Sequence, residues 1–167
     1  MATTLSPGRT TERERGAEAE AYPDTLAFHR ALSELVRVYQ FRDRDRICCY
    51  DISVTQCYAL EALVLRGPMT LNALAAELYL DKSTTSRVAD GLEMKGYASR
   101  GPHPESRRSV LLEPTAVGRA LHRRIDAELV AEEERLLEQF PPAVRRSVTE
   151  VIEGVARAAR IRNGFKG

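Results

Sequence analysis

The densest run of side chains able to do chemistry is Lys82-Ser83-Thr84-Thr85-Ser86-Arg87. Short hydroxyl groups let a helix approach a nucleic-acid groove closely and bond to base edges or phosphates. Lys82 suits a phosphate, and Arg87 suits a phosphate or a guanine edge. Downstream, Arg100, His103, Arg107 and Arg108 surround Gly101, Pro102 and Pro104. Basic groups on a thin hairpin can follow phosphates or enter a minor groove.

A second cluster is Cys48, Cys49 and Cys57. An odd set so closely spaced makes a poor disulfide framework and fits reduced thiols in a cytosolic protein. Three roles stay open. Thiolates are soft ligands for a metal ion or an iron–sulfur cluster, although Asp51, His29 or a residue of a second chain must then complete the site. Oxidation is another, if Arg44 and Arg46 lower a thiol pKa. Cysteine also packs as a small apolar side chain. In that last case the effector is an organic molecule, and Tyr39, Phe41, Tyr50 and Tyr58 are candidates to line its pocket or simply to fill the core. The histidines, His29, His103 and His122, are scattered. We find no Gly-rich phosphate loop, paired-carboxylate signature or nucleophile motif, so catalysis is not expected.

These groups need a scaffold. The 167 residues are 43% apolar and 29% charged with a formal net charge of +1, an ordinary globular balance. Bulk charge therefore says nothing for or against a nucleic-acid partner, and any basic footprint must be local. No run approaches the roughly 18 apolar residues of a membrane span, and the N-terminus lacks the apolar core of a secretory signal, which points to the cytoplasm and no membrane partner.

Residues 1–21 carry no apolar period and are expected to be a flexible tail, and 163–167 are expected to be a C-terminal tail. A helix is expected from Asp24 to about Arg46 within a segment 22–52. Ser53 and Gln56 form a capping-box pattern that starts a second helix ending at Gly67–Pro68, with Ile52 and Cys57 as its apolar staple. Thr70 and Asp81 are caps for two further helices, the second stopped by Gly96. Tyr97–Arg100 and Ser109–Leu112 read as two short strands joined through the Gly/Pro turn, closing a lobe over 53–114. Over 115–162, Leu121, Ile125 and Leu129 mark one helix. Pro142 opens another, striped by Val144, Val148, Ile152, Val155 and Ala159. The expected fold is mainly α with a small β wing: a winged helix-turn-helix lobe between N- and C-terminal dimerisation helices.

The stretch from Thr55 to Gly118, above all LAAELYLDKSTTSRVADGLEMKGYASR and the spacing from Arg107–Arg108 to Pro114–Gly118, resembles the MarR family of transcriptional regulators. The resemblance implies a triangular homodimer that offers two winged lobes to a pseudo-palindromic duplex. Ser83, Thr84, Thr85 and Arg87 would lie in or beside the major groove, and Arg107 or Arg108 would reach the minor groove. It further implies repression relieved by a small molecule, oxidant or metal ion. Two positions depart from the family pattern: Ser106, where Asp usually precedes the arginine pair, and Pro114, where Leu is usual and where proline is expected to shorten the hairpin or reset its angle. The first weakens the wing pattern and leaves an alternative function, a winged-helix adaptor that binds protein and not DNA.

Overall fold

The computed structural model describes residues 23–104 and 106–162, without the side chains of Pro23, Cys48, Ser106, Arg107 and Arg108. The two expected tails and Glu105 lie outside the described residues. The chain divides between Arg46 and Ile47 into two units. Helix α1 (Pro23–Ile47) forms the described part of the first. Asp24 sits in its first turn and Arg44 and Arg46 in its last, each sign placed to favour the helix dipole. Its apolar side chains Leu26, Leu32, Leu35 and Val36 are exposed.

The second unit opens with a single 3₁₀ turn, Cys48–Tyr50, and then α2 (Val54–Arg66). The anticipated capping box forms: Gln56 N donates to Ser53 Oγ at 3.1 Å, and Ser53 N donates to Gln56 Oε1 at 3.1 Å. Gly67, at φ 87°, turns the chain out of the helix in a conformation that favours glycine. Strand β1 (Met69–Thr70), helix α3 (Leu71–Glu77) and helix α4 (Lys82–Met94) follow, then β2 (Ala98–His103) and β3 (Ser106–Pro114). Thr70 and Asp81 cap α3 and α4 as their positions before each apolar period required.

The sheet is antiparallel in the order β1-β3-β2. Its hairpin is longer than expected. Gly101 and Pro102, read as turn residues, pair with Leu111 and Val110, and the irregularity falls later, between Pro102 and His103. Proline is tolerated there because β2 is an edge strand with no neighbour on one side. Pro114 pairs with Ala98 at the hairpin base and does not shorten β3. Strand β1 left no periodic signal, since two residues cannot show one.

α2 supplies the centre of the core. Leu60 and Leu63 are wholly buried with Ile47, Leu74, Leu92 and Leu112, and Ile52 and Cys57 join the same cluster. Each such leucine stabilises the fold by about 1.5–3 kcal/mol relative to exposure. Thr115 caps α5 (Ala116–Glu138) through a 3.0 Å bond from Gly118 N, and its hydroxyl donates to Gly96 O at 2.7 Å. The last helix, α6 (Pro142–Arg162), starts on the expected proline and has no buried residue, so its apolar stripe stays open. No helix among the described residues is long and apolar enough to cross a membrane.

Gly118 is the tightest point of this packing. A Cβ there would collide with the backbone carbonyl of Tyr97 and come within 3.1 Å of Leu60 Cδ1. Backbone cannot yield as a flexible side chain does. We therefore expect Gly118→Ala to lower unfolding stability by about 2–3 kcal/mol in a thermal melt followed by circular dichroism. An unchanged melting temperature would contradict this packing.

Candidate nucleic-acid interface

The interface is built on the first two turns of α4. Asp81 terminates the chain's approach in extended backbone and caps the helix: its carboxylate accepts from Thr84 N at 2.8 Å and from Thr84 Oγ1 at 2.7 Å. These two bonds, with one from Ser83 N, hold the Asp81 carboxyl below the usual carboxylate range. Thr84 Oγ1 also accepts from Arg87 Nη2 at 3.4 Å. Lys82, Ser83 and Arg87 are exposed, and Ser86 is half-buried. A cleft of about 430 Å³ lies beside them, walled by Asn72 of α3, Lys82 of α4 and Ser109 of β3 among others.

Thr85 requires a correction. Expected in or beside a groove, it has 0% exposure, and its hydroxyl donates to Asp81 O at 2.9 Å within the helix. Helical geometry explains this: Thr85 lies four residues before Ala89, on the inward face, while Ser83 and Arg87 share the outward one. Its hydroxyl is satisfied locally, so a polar residue survives in the core.

Arg100 also differs from its sequence reading as one of the wing's phosphate-facing groups. Its guanidinium binds Asp90 at 2.6 Å and also pairs with Glu93. The base of β2 is thereby clasped to the outward side of α4. Asp90 and Glu93 were absent from the sequence-based site; their spacing of three on a helix was the available signal. At the far end of α4, Lys95 Nζ donates to Asp51 O and pairs with the Asp51 carboxylate at 3.4 Å. The side chains of Arg107 and Arg108 lie outside the described residues, although their backbone belongs to β3.

The two cysteines with described side chains differ in burial. Cys57 is buried in the core, as the staple position requires, and Cys49 is exposed. The Cys48 side chain lies outside the described residues. Among the described residues, no group of three His, Cys, Asp or Glu side chains is placed to hold a metal ion.

Of the four aromatics, Tyr39 and Phe41 belong to the first unit and Tyr50 and Tyr58 to the second. Tyr39 and Phe41 are two apart on α1 and point to different sides, stacked under Arg42 at 4.1 Å and Arg44 at 4.9 Å. Tyr50 lies under Arg124 at 5.0 Å, and its hydroxyl pKa is raised first by a hydrogen bond to Glu128 and then by burial. Tyr58 is exposed on α2.

A MarR family model matches residues 52–110, which hold α2 to the middle of β3. An uncharacterised HTH-type transcriptional regulator of Mycobacterium bovis, Mb0904, is 30% identical over 125 residues, covering 73% of this chain and 85% of its own. Among solved structures, RV1404 of Mycobacterium tuberculosis superposes with a TM-score of 0.71 at 29% identity, covering 83% of this chain and 96% of that one. A MarR transcriptional regulator of Methanosarcina mazei Go1 also gives 0.71, at 26% identity, over 81% of this chain and 97% of the other.

Two outcomes follow from the cap and the clasp. Because the Asp81 pKa is lowered in the fold, its contribution is complete above the ordinary value of 3.8 and is lost as pH falls through the lower folded value. Asn keeps a capping oxygen but does not titrate. The stability gap between wild type and Asp81→Asn should therefore narrow from pH 6 to about pH 3 in urea melts; a gap that widens would refute the assignment. Arg100→Ala should cost global stability about 1 kcal/mol or less, since the pairs are near the surface. Hydrogen exchange at the β2–β3 amides should nevertheless quicken about 2- to 5-fold, a local opening that an unclasped wing requires.

Proposed function

The chain belongs to the MarR family, a family of winged helix-turn-helix transcriptional regulators that bind DNA, and from that premise we propose that it grips a pseudo-palindromic operator as a homodimer and represses transcription until an effector releases it. The observation that carries the operator reading is the division of labour at the start of α4. Asp81, Thr84 and Thr85 satisfy the helix itself, while Lys82, Ser83 and Arg87 remain directed outward. In this reading Ser83 and Arg87 enter the major groove, Thr84 orients Arg87, and Lys82 meets a phosphate. Arg107 and Arg108 are assigned to the minor groove. Residues 53–114 act as the reading lobe, and 22–52 with 115–162 as the dimerisation region.

The dimer reading is supported by the open apolar stripes of α1 and α6. Val144, Val151 and Ile152 on α6, and Leu26, Leu32, Leu35 and Val36 on α1, are exposed in the single chain. A second copy would remove such surface from water, the dominant favourable contribution to association. For the effector, an exposed Cys49 keeps thiol chemistry in play, and a small organic ligand is the other route.

Fluorescence anisotropy with genomic duplexes should show preference for paired half-sites about 34–36 Å apart or a multiple of it. Arg87→Ala should weaken the preferred duplex about 10- to 100-fold and relax discrimination at one base pair. Lys82→Ala should weaken all duplexes alike and reduce the salt dependence by about one counterion. Equal affinity for every duplex at every salt concentration, or a strictly monomeric chain, would refute the operator reading. Repression is checked by transcription from a promoter carrying the preferred site, which added protein should lower.

A further inference from the structure

A cleft of about 510 Å³ lies between α2 and the connection from α3 to α4. Its chemistry is unlike that of the DNA-facing surface. Tyr58 and Leu65, seven apart and so on one face of α2, line it together with Tyr79 of the α3–α4 connection. All three are exposed, Leu65 at 69% and Tyr79 at 49%. The charges within it are unequal. Arg66 is committed to Glu77 through a 2.7 Å bond, which leaves that pair neutral. Glu61, on the same lining, has no ion-pair partner among the described residues. The cleft therefore combines two aromatic rings, an aliphatic side chain and one net negative charge.

Tyr79 is held there against its own backbone preference. Its φ is +55°, in the left-handed region that glycine adopts without penalty. The conformation follows from closing α3: Tyr79 N donates to Ala76 O at 3.3 Å and Leu80 N to Ala75 O at 3.0 Å. Glycine would make the same turn with less strain. The turn alone does not call for the ring that lines this cleft.

Aromatic faces attract cations, an unpaired carboxylate adds a directed charge, and the sole lining cation is neutralised. We propose that this cleft binds a small organic cation with a flat apolar body, of the arylalkylammonium class, between Tyr58 and Tyr79 with its charge on Glu61. An anion would meet the carboxylate with no uncommitted cation to offset it. A neutral molecule would gain the apolar wall but not the charge.

The test is isothermal titration calorimetry of the full chain at pH 7, using 2-phenylethylammonium, 2-phenylethanol and phenylacetate as probes. Saturable binding of one ammonium per chain is expected, at least about 5-fold tighter than the alcohol, with no detectable phenylacetate binding. Glu61→Gln should abolish the preference for ammonium over alcohol. Tyr79→Gly should weaken the ammonium about 5-fold or more while melting at the same or a higher temperature, so that lost binding is not lost folding. Absence of saturable ammonium binding, equal binding of all three probes, or variants indistinguishable from wild type would each overturn the proposal. The inference stands beside the operator reading and does not rest on it. Ligand-free protein assayed on duplex DNA in parallel separates the two, because either binding can fail while the other persists.

Discussion

A helix proposed to reach into a groove faces a conflict. Its first amides need acceptors, yet the side chains nearest to them are the ones that should face outward. Here a single carboxylate resolves the conflict. Asp81 takes the amide and the hydroxyl of Thr84, its backbone carbonyl takes the hydroxyl of Thr85, and the outward positions of the first turns are left to Lys82, Ser83 and Arg87. Without that arrangement the hydroxyl-rich run would have to serve as its own cap, and Ser83 would be drawn inward. The rest of the lobe holds this helix at a defined height and angle.

Beyond the apolar core that buries Ala89 and Leu92, two contacts help position α4. The first is the close approach of α5 to the end of α4. Thr115 Oγ1 donates to Gly96 O, Thr115 N donates to Tyr97 O at 3.0 Å, and Gly118 has no side chain to obstruct the same carbonyl. The second is Arg100, which spans from β2 to two carboxylates on α4. One is a steric fit and the other an electrostatic one, so they respond to different disturbances: the fit to added volume, the ion pairs to salt and pH.

Much of this was legible in the residue order, and the reasons are specific. Ser53, Thr70 and Asp81 each cap a helix because a short side-chain oxygen must stand where the apolar period begins; Thr115 does the same and was not read as a cap. Such a pattern is local, and Ser53–Gln56 could be read outright. Gly118 was legible as part of a spacing, but its reason was not, since the obstructing atom belongs to Tyr97, far along the chain. Thr85 was misplaced because a run of hydroxyl residues looks uniform until the 3.6-residue turn distributes it over two faces. Arg100 was misread because a basic residue near a turn does not disclose a partner on another element. Gly101 and Pro102 resemble a turn in any local reading, and only their place on an edge strand reveals that they extend the hairpin.

The clasp at Arg100 ties α4 and the base of the hairpin into one piece. A dimer assembled from such pieces would have two independent ways to diverge. In the proposed operator reading, altering which bases are favoured would need changes on the piece itself, at Ser83 or Arg87. Altering the distance between the two recognised segments needs changes only in the long helices outside it. Descendants of one ancestral chain could thus alter the letters they recognise and the length of the gap between them separately, without rebuilding the domain.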